Sequence, residues 1–280
     1  MVREILEVLA PQPGELAVDC TLGFGGHAIA LLRAIQPGGR LIGLDVDPLE
    51  LPKTEARLRT LGFGPETLSV ERMNYAGLAK ILATPADLIL ADLGTSSMQI
   101  DNPARGFTYK YEGPLDLRMN PHRGQPASGL LARLDEEQLA QLLMENSDEP
   151  DAAAIAHAIH QTRATMITTT VQLATIVRQT GATDDSVRRV FQALRIAVND
   201  EFSALEAFLR NLPLCLKPGG RAAVLTFHSG EDRRVKKAFQ SGERDGTYAA
   251  TAHQVLRPTP EEIRDNPRSS SAKLRWARRA

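Results

Sequence analysis

Short apolar runs and amphipathic stretches alternate through the first ninety residues. Leu16-Ala-Val-Asp19-Cys20 follows the breaker Pro13-Gly14, and a glycine cluster follows it in turn. Ala28–Ile35 then reads as a helix that Pro37-Gly-Gly39 stops. Leu41–Asp45 is the next apolar run, Leu49–Leu61 the next helix, Thr67–Arg72 a third strand and Ala86–Asp92 a fourth. The first, second and fourth runs close on or beside an acid. Apolar runs spaced by helices predict βαβ units and a parallel sheet covered on both faces. Right-handed crossovers then give an open, doubly wound sheet.

The alternation stops at Gly94. From there to about Arg210 the pattern predicts helices only. Asp135 and Gln138 have capping-box spacing ahead of Leu139, Leu142 and Leu143, and Ala152–Ile159, Val171–Val177 and Val187–Leu209 are periodic. Strand character returns at Arg221–Phe227, after the turn Lys217-Pro-Gly-Gly220. The expected organisation is one α/β domain, residues 1–93 and 211–280, interrupted by an all-helical insertion, 94–210, large enough for its own core. No repeat or low-complexity tract is visible.

Composition narrows the class. The 280 residues carry 33 basic and 34 acidic side chains, and 42% are hydrophobic. These are the proportions of an ordinary globular protein. No window approaches the ~18 apolar residues of a membrane helix, and Met1-Val-Arg-Glu4 does not open a signal peptide. Cys20 and Cys215 cannot form a disulfide framework or a four-ligand zinc site, so a reducing cytoplasm is expected. Net charge of −1 argues against coating nucleic acid by bulk charge, but the bases cluster. Residues 231–237 read Glu-Asp-Arg-Arg-Val-Lys-Lys, and Arg264, Arg268, Lys273, Arg275, Arg278 and Arg279 face only Asp265 around Trp276. Such runs read as a solvated helix face and a frayed tail, or as phosphate contacts for RNA.

Chemistry concentrates at strand ends. In Asp19-Cys-Thr-Leu-Gly23-Phe-Gly25-Gly26-His27 a strand ends, glycines follow and a helix begins. Glycines let a ligand approach the backbone, and the helix start offers unpaired N–H groups. Gly23–Ala28 fits the dinucleotide pattern, and Asp45 closes the next strand about 20 residues on, where an acid accepts ribose hydroxyls. A nicotinamide dehydrogenase and an S-adenosyl-L-methionine methyltransferase both satisfy this. Asp19 tilts the choice. It would repel a pyrophosphate and suits a ligand with a free amino group, although it also reads as a turn aspartate. Asp92-Leu-Gly-Thr-Ser-Ser97 adds a carboxylate and hydroxyls at the edge where open α/β sheets bind ligands. A carboxylate there can accept a hydrogen bond from an exocyclic amine and aim its lone pair at a methyl donor.

These blocks resemble the bacterial RsmH/MraW family. So do Gly43-Leu-Asp-Val-Asp-Pro48, Asp92–Asp101, Arg105-Gly-Phe107, Gly113–Met119, Arg189–Glu201, Phe227-His-Ser229 and Asn266-Pro-Arg268. The resemblance runs from about residue 15 to the C-terminus. It implies a Rossmann-like class I methyltransferase sheet with an inserted helical substrate-recognition domain. It also implies methyl transfer from S-adenosyl-L-methionine to N4 of a cytidine in small-subunit (16S) ribosomal RNA. By the same resemblance Gly25, Gly26 and His27 hold the methionine end, Asp45 the ribose and Tyr75 the adenine. Asp92 and Gln99 complete the cofactor pocket, with Asp92 catalytic. Asp116, Arg118, Arg195, Asn199 and His228 are implied on the substrate side. From its own spacing Ser229, with Asp232 three residues on, reads as the cap of the helix after His228.

Three departures stand out. The family's usual His-x-x-Val-Leu start is not included, Gly230 replaces a leucine, and Glu145–Pro150 replaces a Gly-Glu-Glu-Arg stretch. The expectation is therefore an RNA cytosine-N4 methyltransferase with ribosomal RNA or the small subunit as partner. No metal and no membrane are expected, and the oligomeric state is left open, a homodimer included. The alternatives are a relative acting on another RNA, a dehydrogenase, or a non-catalytic RNA-binding protein.

Overall fold

The computed structural model describes residues 1–162 and 167–280. The chain divides into two compact units, Met1–Gly94 with Ser203–Ala280, and Thr95–Phe202.

The first unit is built on a seven-stranded sheet of order β3-β2-β1-β4-β5-β7-β6. Its strands are β1 (Leu16–Asp19), β2 (Arg40–Asp45), β3 (Leu68–Arg72), β4 (Ala86–Asp92), β5 (Leu216–Thr226), β6 (Tyr248–Thr251) and β7 (Lys273–Arg279). The first five pair in parallel. The central strands read as unbroken apolar runs because both faces are covered. The chain winds outward from β1 through β2 to β3, then returns to β4 on the other side. The carboxyl ends of β1 and β4 thus flank a topological switch point, the place where such sheets bind ligands.

Helices α1 (Val2–Leu9), α2 (Gly26–Ala34) and α3 (Leu51–Thr60) cover one face, with Ile5, Leu31, Leu32 and Leu58 against Leu41, Leu88 and Leu90. The other face packs Val18, Ile89, Ala91, Ala222 and Val224 against Leu205, Phe208, Leu212, Val235 and Phe239.

Two expectations about this unit are corrected. The sheet is mixed rather than parallel, because β7 enters between β5 and β6 and pairs antiparallel with both. The basic C-terminal stretch is therefore no frayed tail. Arg275 is 6% exposed and its Nε donates to Asp232 Oδ1 at 2.6 Å. Register places Thr226 opposite Lys273 and Arg221 opposite Arg278, so Arg278 and Arg279 lie at the amino edge, away from the switch point.

The second unit holds α4 (Ser97–Ile100), α5 (Ala127–Arg133), α6 (Glu136–Ser147), α7 (Ala152–Gln161), α8 (Thr170–Gln179) and α9 (Asp184–Asn199). Leu139, Leu143, Ile155, Leu173, Val190 and Leu194 form its separate core. The Asp135–Gln138 capping box is present as read, with both reciprocal hydrogen bonds. The single helix expected over Val187–Leu209 is two, because Asp200 takes φ 51° and ends α9 before α10 (Glu201–Cys215) begins. Most of α10 belongs to the first unit: Leu205, Phe208, Leu209 and Leu212 fill the sheet's core, so the division falls at Phe202 rather than near 210. In the segment that departs from the family pattern, Glu149 is 2% exposed and accepts from Ser186 Oγ at 2.9 Å.

Candidate functional site

The loop between β1 and α2 is held from three sides. Asp45 Oδ2 accepts from Gly23 N at 2.8 Å, while Oδ1 accepts from Asp47 N at 2.9 Å. Thr54 Oγ1, on α3, donates to Gly23 O at 2.6 Å. The Arg57 guanidinium lies 3.2 Å from the centroid of the Phe24 ring, which is itself 60% exposed. Gly25 caps α2 at φ 79°, and a Cβ there would stand 3.1 Å from Thr54 Cγ2. The left-handed backbone and the crowding both favour glycine. At Gly26, the first residue of α2, a Cβ would meet nothing within 4 Å. The start of α2 thus opens onto space beside unpaired N–H groups, an arrangement suited to a carboxylate.

Four titratable groups gather around this loop. Asp19 is 1% exposed; burial pushes its pKa up to about 6, against the pull of His27 and the Thr21 N–H. His27 Nδ1 stands 3.4 Å from Asp92 Oδ2. Burial disfavours the charged imidazole, but Asp92 and Asp19 outweigh it and raise the His27 pKa. The Asp45 carboxyl is also raised, by burial, against the backbone donors at Asp47 and Gly23. Asp92 N donates to Thr21 Oγ1 at 2.7 Å, tying the end of β4 to the glycine loop. Asp92 Oδ1 is buried and accepts no hydrogen bond among the described residues. An ionised oxygen in that condition costs free energy unless a ligand supplies a donor.

Tyr75 opens a 3-10 turn after β3, and its ring meets Phe208 edge-on at 5.4 Å. His228, rather than Ser229, is the N-cap residue of α11 (Ser229–Arg244). Its Nε2 stands 3.3 Å from Glu231 Oε1, and Glu231 Oε2 accepts from Phe227 N at 2.9 Å. The carboxylate at the third helical position therefore fixes this helix start.

The remaining candidates lie in the helical unit. Gln99 is 5% exposed and closes a capping box with Ser96, accepting from Ser96 N at 3.0 Å. Arg118 grips Asp116 with Nε and Nη2, both at 2.7 Å. Arg195 forms a similar fork with Glu201, at 2.8 and 2.9 Å. Asn199 accepts from Met119 N at 2.7 Å and donates to Leu117 O at 2.8 Å, pinning a segment whose Leu117 takes φ 63°. Arg105, 6% exposed, donates to Met119 O at 2.9 Å from the same guanidinium nitrogen that reaches Arg118 O at 3.2 Å.

The fit to known proteins can be set against this geometry. The sequence profile described as the MraW methylase family matches residues 1–280. The chain belongs to that family. Among its relatives is "Ribosomal RNA small subunit methyltransferase H 2" of Alkaliphilus metalliredigens, 48% identical over 293 residues, covering 100% of this chain and 84% of the relative. "Ribosomal RNA small subunit methyltransferase H 1" of Lachnoclostridium phytofermentans is 45% identical over 293 residues, covering 100% and 80%. "Ribosomal RNA small subunit methyltransferase H" of Synechococcus is 41% identical over 298 residues, covering 100% and 91%.

Within this MraW-family chain the structure brings Gly25, Gly26, His27, Asp45 and Asp92 together around one loop. Asp116, Arg118 and Asn199 meet around residues 116–119. Sequence reading gave no role to Thr54, Arg57 or Arg105. Arg105 was visible only as part of Arg-Gly-Phe. Thr54 and Arg57 carry no local signal, since their contacts cross from α3 to a loop some thirty residues earlier.

Proposed function

We propose that this chain transfers a methyl group from S-adenosylmethionine to the N4 amino group of a cytidine in small-subunit ribosomal RNA, in the cytoplasm. Among the described residues no helix is long and apolar enough to cross a membrane. The observation that carries the reading is the buried, undonated Asp92 Oδ1, at the switch point beside the glycine loop. It fits an exocyclic amine, which supplies the missing hydrogen-bond donor.

The residues present suit the cofactor. The α2 start at Gly25, Gly26 and His27 would take the methionine carboxylate, Asp19 would draw the ammonium, Asp45 would take the ribose hydroxyls and Tyr75 would flank the adenine; by resemblance to the family Gln99 is a further cofactor candidate. When bound, the cofactor supplies an electrophilic methyl group. Cytosine N4 is a weak nucleophile because its lone pair is delocalised into the ring. Asp92 accepts a hydrogen bond from the amine, favours its pyramidal form and takes up the proton that leaves. His27, paired to Asp92 Oδ2, holds the carboxylate in place. Positioning and fixed charge carry the rate. By resemblance to the family Asp116, Arg118, Arg195 and Asn199 would serve the RNA substrate, with Asn199 pinning the segment 117–119, and His228 is a further substrate candidate.

The test is methylation of small-subunit RNA, free and assembled, with labelled donor, followed by mapping of the modified base. Label on a cytosine N4 supports the reading, and label on another atom or on no RNA refutes it. In Asp92→Asn, turnover falls by at least ~100-fold, as for loss of a preorganised electrostatic group, while RNA affinity holds.

A further inference from the structure

Residues 231–244 mix acids and bases along the chain, but helix α11 sorts them. Glu231 is buried against Phe227 and His228. Asp232 is taken by Arg275 and by Lys273, whose Nζ stands 3.5 Å away. Glu243 Oε2 accepts from Thr251 Oγ1 at 2.9 Å. All three carboxylates are thus spent on the fold. Arg233, Lys236, Lys237 and Arg244 remain exposed.

Beside them, α10 and α11 border a groove of about 490 Å³ whose lining includes Leu209, Ala238, Tyr248, Arg210, Arg234 and Lys237. Leu209 and Tyr248 at its floor are 7% and 4% exposed, and the charged groups stand around them. Of the groove's acids, Glu206 is paired with Arg234 at 2.8 Å and Asp245 accepts from Thr247 N at 3.0 Å. Arg210, Lys236 and Lys237 make no ion pair among the described residues. In a chain of net charge −1 this is a local excess of cations without intramolecular work.

Register gives the excess a direction. α11 starts just past Thr226, at the carboxyl edge where Asp92 ends β4, and the chain re-enters the sheet at Tyr248, opposite Arg279 at the amino edge. Its 16 residues run about 24 Å down the sheet. We propose that the α10–α11 groove and the exposed flank of α11 form a track for the sugar-phosphate backbone of the substrate RNA, leading away from the target nucleotide. This rests on the function proposed above and adds where the flanking strand runs.

The test uses the full chain with Arg210, Lys236 and Lys237 all changed to Gln, and a small-subunit RNA transcript as the probe. Filter binding is followed across salt. Each phosphate contact contributes about −0.7 to the log–log slope, so the triple variant flattens it by about two and binds at least ten-fold more weakly at low salt. Affinity for S-adenosylhomocysteine by calorimetry stays within two-fold of the parent, which confirms the fold. A charge-matched control, R33Q/K53Q/R40Q on the opposite side of the unit, keeps the parental slope. An unchanged slope in the groove variant, or equal flattening in the control, overturns the track and leaves the functional reading standing. Weaker binding with no change of slope marks a non-ionic contact and also overturns it. A parent protein that binds no RNA overturns the functional reading itself.

Discussion

Asp19 is a carboxylate kept where water does not reach, and its raised pKa has a definite sign. The unfolded chain gives up this proton near 3.8 and the fold keeps it to about 6. Asp19 therefore costs the fold nothing below the lower value and progressively more as pH rises through the upper one. At about 1.4 kcal/mol per unit, the cost at neutral pH is about 3 kcal/mol. We expect Asp19→Asn to be more stable than the parent by up to that amount in urea titrations at pH 7.5, with the gap closing toward pH 4. The same substitution weakens cofactor binding, because an ammonium loses its counter-charge. Asp45 was legible as a strand-end acid, but its grip on Gly23 N was not. Asp45→Ala should thus lower cofactor affinity by about 1.5–3 kcal/mol in calorimetry, and melt the protein earlier as the glycine loop loosens. Phe24→Ala removes the ring under Arg57, a contact worth about 0.5–1 kcal/mol at an exposed site. Its effect should be a two- to five-fold weaker Kd for S-adenosylhomocysteine.

Elements were legible where a period or a breaker marked them, and illegible where distant contacts decided them. β1 to β4 stand where alternating runs put them. α9 and α10 merged in the sequence because both are amphipathic, and only the left-handed Asp200 separates them. β7 is the larger miss. Lys-Leu-Arg-Trp-Ala-Arg-Arg looks like a solvated basic run, and pairing on both sides makes it an interior strand. Burial then changes what its arginines do. Arg275 holds Asp232 below the usual carboxylate range, opposed by burial, so this pair stabilises the fold at neutral pH and the benefit is lost as pH falls through the depressed pKa. Arg275→Leu removes the closer of two cations and leaves Asp232 with Lys273 alone at 3.5 Å; it should cost about 1–3 kcal/mol in urea unfolding, while the salt slope of RNA binding stays parental.

At the scale of the molecule, the two cores are separate in composition and in chain order: one unit is continuous, while the other is made from both sides of it. β4 has β1 on one side, and its other partner, β5, lies beyond the whole helical unit. β5 in turn waits for β7. During synthesis the half-sheet β3-β2-β1-β4 therefore exists with the edge of β4 bare from residue 92 until residues 216–226 emerge. At roughly 5–20 residues per second, that interval is on the order of ten seconds. An apolar strand edge left open for so long is a template for pairing with other chains. The soluble yield of this protein is thus set partly by the clock: slow synonymous codons placed within residues 95–202 lengthen the exposure without altering one side chain, and a chaperone that shields strand edges shortens it.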